Sequence, residues 1–204
     1  LEDELQRVIP VVRAIRKFAF ISVDTYKSEV ARQAIAAGAR MINDVTALRG
    51  DPTMAEVVAR TGVRVVLMYS KDPTARTTRI KKKYRDVVKT ILEFLEERID
   101  FALHAGIKKS QIIIDPGMGA FVSMIAKYSF EILARLREFK KFGCPILVGT
   151  SRKSFLPGTI AERLEPTLAA NLLAIQNGAD ITRVHDVAAH RRLLDTLKCY
   201  TRAV

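Results

Sequence analysis

The sequence contains no tryptophan, only two cysteines and no long run of apolar residues. A membrane-spanning helix needs about 20 consecutive apolar residues, so none is predicted, and no segment has the pattern of a signal peptide. Cys144 and Cys199 lie far apart and match no metal-ligand spacing, which predicts two free thiols in a reducing cytoplasm. We therefore expect a cytoplasmic protein with no membrane partner.

Aromatic residues make up only 7% of the chain, whereas basic residues outnumber acidic ones and give a formal net charge of +12. Such a balance is found in proteins that bind nucleic acid or smaller anions. Most of the cations are scattered singly along predicted helical faces. Only residues 79–85 form a dense basic run, which is typical of a solvated helix start. Because the chain shows no aromatic interleaving of the kind that stacks bases, we predict no nucleic-acid partner.

Strand-like and helix-like segments alternate along the whole chain. Strands are predicted at 18–23, 41–42, 63–68, 111–114, 146–148 and 180–184, and helices at 1–17, 28–37, 52–60, 84–105, 128–142, 167–176 and 187–197. Adjacent strands are not joined by Asn-Gly or Asp-Gly hairpin turns, and the run 146–148 is wholly apolar, as in parallel sheets. The pattern predicts one α/β domain over residues 1–204, a (β/α)8 TIM barrel with about six strand–helix units in this chain. A doubly wound open sheet is the structural alternative.

Polar side chains follow every predicted strand. They are Asp24, Asn43, Tyr69 with Ser70, Asp115, Ser151 with Arg152 and Lys153, and Arg183 with His185. Because strand ends in a barrel converge on one mouth, we expect these side chains to face a single pocket. Any one carboxylate has an alternative role as a helix cap or turn residue. Their recurrence at successive strand ends favours a shared site.

The residue types in this set predict a class of ligand. A carboxylate accepts two parallel hydrogen bonds from a ring N–H and a neighbouring amino group, so Asp24, Asp115 and the Asn43 amide suit a flat, nitrogen-rich heterocycle. Arg183 and His185 stand at alternate positions and, with Arg152 as a further candidate, form a cationic rim suited to phosphate. No serine or cysteine has an obvious base partner, which disfavours covalent catalysis.

Five segments resemble the successive motifs of the dihydropteroate synthase family. They read ISVDTYK at 21–27, INDV at 42–45, IIDPGMG at 113–119, VGTSRKSF at 148–155 and TRVHD at 182–186. Their order and spacing match over nearly the whole chain, and the last two are the most specific. The resemblance implies a homodimeric transferase of folate biosynthesis with a pterin-binding (β/α)8 barrel. It would join 6-hydroxymethyl-7,8-dihydropterin diphosphate to p-aminobenzoate and release pyrophosphate.

The resemblance also implies roles for individual residues. The residues implied for pterin binding are Asp24, Asn43, Met68, Asp115, Gly149 and Lys153. Arg183 and His185, with a family-typical Mg²⁺, would bind the diphosphate, although the usual protein ligand of that metal is not in this sequence. Lys153, Ser154 and the loop near Phe121 would border the aminobenzoate site. Asp115, Lys153, Arg183 and His185 are the implied catalytic residues.

The sequence departs from the family pattern in two places. The family's opening strand with its Asn-containing loop, and the second strand with its Arg-Pro-Gly loop, have no counterpart here. A molecule that began at Leu1 would be expected to show weak or no turnover and an exposed hydrophobic flank, whereas a longer polypeptide is expected to be active. After Asp-Pro-Gly the chain reads MGAFVS at 118–123, where many relatives have Gly-Phe-Gly-Lys.

Two other functions fit part of the pattern. A methyltetrahydrofolate-dependent corrinoid methyltransferase shares the barrel and the pterin-binding carboxylates and Asn but needs no diphosphate site. The cations Arg152, Lys153 and Arg183, together with His185, argue against it. A non-catalytic protein would use the barrel mouth, or the basic run 79–85, to hold a pterin, other anions or RNA. Salt-dependent RNA binding without pterin binding would favour that protein.

Overall fold

The computed structural model describes residues 1–203, in which strands and helices alternate. Within that range the strands are β1 (Ser22–Asp24), β2 (Met41–Asp44), β3 (Arg64–Met68), β4 (Ile112–Asp115), β5 (Leu147–Val148) and β6 (Ile181–Thr182). The α-helices are α1 (Glu2–Ile15), α2 (Ser28–Ala37), α3 (Met54–Thr61), α4 (Val87–His104), α5 (Ala126–Ala134), α6 (Leu164–Gln176) and α7 (Val187–Ala203). Short 3₁₀ helices cover Lys109–Gln111, Gly119–Phe121 and Leu136–Phe142.

All paired strands are parallel and follow one another in chain order. One sheet has the order β1-β2-β3-β4, and β5 pairs with β6 in a second sheet. A parallel bridge between Ile114 and Ile146 joins the two sheets, with a hydrogen bond of 3.0 Å from the Ile114 amide to the Pro145 carbonyl. A doubly wound sheet reverses its strand order at a switch point. The sequential order excludes that alternative and confirms six strand–helix units.

The strand register brings the polar strand ends side by side. Asp24 is opposite Asn43 in the β1–β2 pair, and Met68 is opposite Asp115 in the β3–β4 pair. Because parallel strands present their carboxyl ends at one edge, this register alone places four predicted site residues on the same side of the molecule.

The strands separate two apolar regions. Alternate residues such as Val65, Leu67 and Ile114 pack with the helices in the large core. Val66, Ile113 and Leu147 point the other way and form a small inner cluster with Met41 and Ile181. Burial of strands on both faces explains why their sequences are continuous apolar runs rather than alternating ones.

Several predicted boundaries are wrong, and the reasons are local. The long helix α4 begins at Val87 rather than at residue 84, because the Asp86 side chain accepts the Lys89 amide at 2.9 Å and caps the helix. The basic run 79–85 is therefore not a helix start. The strand predicted at 18–23 is reduced to Ser22–Asp24, and the Phe18 and Phe20 side chains are 85% and 53% exposed.

Two observed helical segments also differ from the helices predicted from the sequence. The segment predicted as one helix at 128–142 consists of α5 and a 3₁₀ helix on either side of Arg135. Helix α1 continues through Pro10, where the sequence predicts a kink or a late start. None of the helices in residues 1–203 is long and apolar enough to cross a membrane.

Candidate active site

A cavity of about 450 Å³ opens at the carboxyl ends of the strands. We call it the main cavity, and its walls are Asp24, Val45, Met68, Asp115, Phe121, Gly149, Ser151, Lys153, Arg183, Val184 and His185. All six strands, or the segments directly after them, contribute to these walls, as expected at the mouth of a parallel barrel. Eight of the ten predicted site residues therefore meet in one cavity; Asn43 and Ser154 lie beside it.

Asp115 and Lys153 provide the buried charges of the main cavity. Asp115 is 6% exposed, and its Oδ1 accepts the Gly117 amide at 2.8 Å. Burial raises the pKa of the Asp115 carboxyl, and the charge of Lys153 opposes that shift. Burial likewise lowers the pKa of Lys153 to about 8, against the attraction of Asp115. A ligand that supplies hydrogen-bond donors to Asp115 would relieve this desolvation.

Lys153 is oriented by the loop that follows β4. Its Nζ donates to the Met118 carbonyl at 3.1 Å and lies 5.1 Å from the centre of the Phe121 ring. Phe121 belongs to the 3₁₀ helix Gly119–Phe121, directly after the Asp-Pro-Gly motif. The chain thus keeps an aromatic ring beside the lysine even though its loop sequence departs from the family pattern.

Asp24 is the meeting point of two side chains. Its Oδ2 accepts the Asn43 side-chain amide at 3.1 Å and the Arg183 guanidinium at 2.7 Å. Asn43 is almost fully buried and lines a smaller cavity of about 250 Å³ between β1 and β6, instead of the main one. Asn43 therefore acts on the main cavity through Asp24.

Ser151 and His185 form a hydrogen-bonded pair on the main cavity. Ser151 Oγ lies 2.8 Å from His185 Nδ1 and also accepts the His185 amide at 3.3 Å. Arg152, the next residue, turns away from this cavity and binds Asp186 with two hydrogen bonds of 3.0 and 2.5 Å. Its hydrogen bonds hold the pKa of the Asp186 carboxyl below its usual range. Of the three residues predicted to form the cationic rim, Arg183 and His185 line this cavity, whereas Arg152 does not.

A second cavity of about 510 Å³ adjoins the main one and shares Phe121 and Lys153 with it. Its remaining walls are Arg79, Met118, Ala120, Arg152, Ser154, Thr159, Ile160 and Arg163. Apolar surface next to three guanidinium groups suits an aromatic carboxylate. The predicted residue Ser154 lies here.

Sequence reasoning missed part of both cavities. Ser151 was assigned no role of its own, and Val45 and Val184 carry no polar group that would have marked them. Thr159 and Arg163 lie between β5 and α6, far from any strand end, so only the folded loop brings them to the second cavity.

Comparison with known proteins places these observations in a family. The pterin binding enzyme family matches residues 1–185. The dihydropteroate synthase of Escherichia coli strain K12 is 42% identical over 193 residues, which are 92% of this chain and 67% of that protein. The enzyme of Clostridium beijerinckii is 39% identical over 198 residues, covering 94% of this chain and 70% of that protein.

Solved structures agree with the sequence relatives. Dihydropteroate synthase from Xanthomonas albilineans in complex with 7,8-dihydropteroate has a TM-score of 0.88 and 42% identity, covering 100% of this chain and 75% of that one. The enzyme from Thermus thermophilus in complex with 4-aminobenzoate has a TM-score of 0.89 and 38% identity, covering 98% and 78%. These likenesses extend over nearly the whole of this sequence, and the chain belongs to the pterin-binding enzyme family, with the TIM-barrel fold of the dihydropteroate synthases.

Proposed function

We propose that this chain joins the methylene carbon of 6-hydroxymethyl-7,8-dihydropterin diphosphate to the amine of p-aminobenzoate, giving 7,8-dihydropteroate and pyrophosphate. The observation that carries the proposal is the placement of buried Asp115 and partly buried Lys153 in one cavity with Arg183 and His185. That cavity offers acceptors for a nitrogen-rich ring and donors for phosphate within one space. Relatives whose solved structures hold 7,8-dihydropteroate or 4-aminobenzoate support the same reaction.

The pterin ring is held by the two carboxylates. Asp115 Oδ1 already accepts the Gly117 amide, which leaves Oδ2 for a ring N–H or the amino group. Both protein contacts of Asp24 use Oδ2, which leaves its Oδ1 for the ligand. Buried Met68 provides an apolar wall. The nearest atom to a β-carbon built at Gly149 would be the Arg183 β-carbon, 4.0 Å away. The backbone there therefore leaves open space for a flat ring.

Lys153 supplies a cation at the boundary between the two cavities. Its ammonium would donate to an acceptor on the pterin while remaining bonded to the Met118 carbonyl. Pyrophosphate departure leaves positive charge on the pterin methylene and ring, and the Asp115 carboxylate stabilises that charge. Preorganised charges of this kind typically change rates by about 10²–10³-fold each.

The leaving group is held by Arg183 and His185. Arg183 has free N–H groups beyond the one that binds Asp24, and its planar donor geometry matches phosphate oxygens. Ser151 fixes the orientation of the His185 ring through Nδ1, so that Nε2 is directed away from Ser151. Stabilising negative charge on pyrophosphate is the main task of catalysis in this scheme.

The aminobenzoate occupies the second cavity. Its amine would lie at the Lys153–Phe121 boundary, and its carboxylate would face the guanidinium end. A neutral aniline attacks the methylene carbon directly, so the bond-making step needs no general base. The positively charged nitrogen that forms then releases one proton to solvent to give the secondary amine of dihydropteroate. No side chain forms a covalent intermediate in this scheme.

The residues of this chain do not by themselves form a magnesium site. Residues 1–203 contain no group of three His, Cys, Asp or Glu side chains placed to hold a metal. The basic side chains Arg183 and His185 line the proposed diphosphate rim, and Mg²⁺ prefers carboxylate and phosphate oxygens. Arg183 and His185 are the proposed protein contacts of the diphosphate, and the Mg²⁺ implied by the family resemblance would add a cation at the phosphate oxygens.

We also propose that the chain works as a single-domain subunit of a cytoplasmic homodimer. Both cysteines are free, as a reducing compartment would keep them. Helices α6 and α7 expose Leu173, Val187, Leu194 and Tyr200, which would be covered in a dimer. Light scattering coupled to size exclusion tests the dimer, because a monomeric mass would exclude it.

Product analysis tests the proposed function. The protein is incubated with the pterin diphosphate and p-aminobenzoate, and dihydropteroate and pyrophosphate are quantified separately. Equal release of both products is expected from the wild type, with a loss of at least about 10²-fold in Asp115→Ala. Pterin binding without product would favour the non-catalytic protein instead, and absence of both would reject the proposal.

A further inference from the structure

The turn after β2 has an uncommon backbone. Ala47 and Leu48 have φ angles of 51° and 65°, and both side chains are buried. Consecutive left-handed residues with β-carbons are unfavourable, so surrounding contacts must impose this shape. The turn follows Asp44, the last residue of β2, and contributes Val45 to the main cavity. Its shape therefore sets one wall of the proposed ring site.

A buried carboxylate holds the turn from within. Asp44, with no exposed surface, accepts the Thr46 amide at 2.8 Å, the Thr46 hydroxyl at 2.7 Å and the Leu48 amide at 2.9 Å. These bonds satisfy the Thr46 and Leu48 amides, and the Asp44 carbonyl accepts the Ala47 amide at 3.0 Å, but the Ala47 carbonyl requires a donor from elsewhere.

That donor is Arg98 of helix α4. Its Nε donates to the Ala47 carbonyl at 2.8 Å, and its guanidinium lies 4.2 Å from the centre of the Phe101 ring. Arg98 is only 6% exposed, and its Nη2 is buried without a hydrogen-bond partner among residues 1–203. The carboxylate of Glu97, 3.4 Å from Nη1, is 70% exposed and screened by water.

Burying a guanidinium with an unpaired N–H between a helix and the turn after a strand is energetically unfavourable. A methionine at the same position would fill similar volume without that cost. The contact that an apolar side chain would lose is the hydrogen bond to Ala47, which indicates a role beyond packing.

We propose that Arg98 is a positioning residue for pterin binding. Through the Ala47 carbonyl it keeps the left-handed turn, and with it Asn43 and Val45, in the geometry that receives the ring. The inference rests on the proposed function, since the ring is the ligand whose binding it serves. Arg98 itself does not line either cavity.

Arg49 also holds the turn but is a less selective probe. Its Nε donates to the Thr46 carbonyl at 2.9 Å, and its Nη2 donates to the Asp72 carbonyl at 3.2 Å in the loop after β3. Removing Arg49 would disturb two loops at once, whereas the other contacts given above for Arg98, with Glu97 and Phe101, lie within its own helix.

The test compares Arg98→Met, Ala47→Gly and the double variant with the wild type. Glycine accepts a positive φ without strain, so Ala47→Gly reduces the need for an external clamp. We expect Arg98→Met to weaken binding of a pterin about tenfold by calorimetry, the scale of one lost hydrogen bond. The KM for p-aminobenzoate should change less than about twofold. The double variant should recover at least half of the lost affinity on a logarithmic scale.

Arg60→Met serves as the matched control, because Arg60 pairs only with Glu56 on an exposed helix face. It should leave both constants unchanged. A merely structural role would raise both substrate constants of Arg98→Met equally or leave the Ala47→Gly rescue without effect, and either result overturns the inference. So does pterin affinity within twofold of the wild type.

Amide hydrogen exchange in the ligand-free protein separates this inference from the proposed function. The Gly50 amide donates to the Thr46 hydroxyl at 2.9 Å and so reports on the same turn as the Thr46 and Leu48 amides. Faster exchange at these three amides in Arg98→Met, with unchanged exchange in α7, supports the clamp whether or not a pterin binds. Unchanged exchange at these three amides rejects it. Failure of the wild type to bind any pterin rejects the proposed function and the pterin-binding role of Arg98, whereas the exchange measurement still decides whether Arg98 clamps the turn.

Discussion

The guanidinium of Arg183 and the carboxylate of Asp24 meet at 2.7 Å, although 159 positions separate them in the chain. The contact joins the carboxyl end of the first strand to that of the last. Arg183 belongs to the proposed diphosphate rim, and Asp24 belongs to the proposed site for the pterin ring. The two halves of the main cavity are therefore electrostatically linked.

This link makes the effect of Arg183→Ala dependent on the ligand. A diphosphate-bearing pterin should bind about 10- to 100-fold more weakly, the scale for losing charge-assisted hydrogen bonds. The bare pterin should lose no more than about threefold, because Asp24 Oδ2 is released for the ligand. Calorimetry with both ligands measures the difference, and Arg191→Ala on the exposed face of α7 is the control. Equal losses for both ligands would remove the anion-binding role.

Asp115→Asn should weaken pterin binding by about 1–3 kcal/mol, the scale for a buried charge-assisted hydrogen bond. The amide keeps the shape of the side chain but offers one acceptor oxygen in place of two. Asp195→Asn, at an exposed position of α7, is the matched control. Unchanged calorimetric affinity in Asp115→Asn would show that the ring does not contact this side chain.

Lys153→Met should stabilise the ligand-free protein while abolishing turnover. Folding lowers the pKa of Lys153 from 10.5 to about 8. Below pH 8 the lysine is charged in both states, and the desolvated ammonium destabilises the folded protein by its full amount. The unfolded chain holds this proton up to its ordinary pKa. The lysine's contribution to stability therefore rises with pH between about 8 and 10.5.

Denaturant unfolding of both proteins across that pH range checks the sign. The variant should be more stable at pH 7, by at most about 3 kcal/mol because the side chain is partly exposed. The advantage should shrink as pH approaches 10.5. A variant that is less stable than the wild type at pH 7 would contradict the inferred desolvation of Lys153.

Two glycines with the same backbone angle test the packing around the Asp-Pro-Gly motif. Gly62 and Gly117 both have φ of 71°, but a β-carbon at Gly62 meets no atom within 4 Å, whereas one at Gly117 would overlap the Tyr69 carbonyl. Gly62→Ala should lower the free energy of unfolding by only about 1–2 kcal/mol, the penalty for a β-carbon in the left-handed conformation. Gly117→Ala should cost more and reduce activity, because the strand pair carrying Asp115 must shift. Thermal unfolding of both variants measures the contrast, and equal costs would contradict the overlap.

The sequence was informative where its signals are periodic. Uninterrupted apolar strands and helices that end at glycine predict the parallel order, and the strand register then brings Asp24 beside Asn43 and Met68 beside Asp115. The predicted gathering of these ends follows from topology alone. Individual roles in binding and catalysis stay predictions until ligands are measured.

Features set by single tertiary contacts were beyond sequence reasoning. Nothing local indicates that Arg152 turns to Asp186 while Lys153 enters the cavity. The start of α4 depends on one Asp86 hydrogen bond that outweighs the helical spacing upstream. The left-handed residues Ala47 and Leu48 carry no glycine signal, because distant Arg98 contributes to their stability.

Lys153 and Phe121 are a common wall of the two cavities. A substitution at either residue would change the main cavity, proposed for the pterin, and the second cavity, proposed for the aminobenzoate, together. Selectivity for one substrate therefore cannot change independently of the other at this boundary. Thr159 and Ile160 line only the second cavity, so substitutions there would change selectivity for the amine substrate alone. Homologues that differ only there should diverge in the amine they accept while keeping the same pterin.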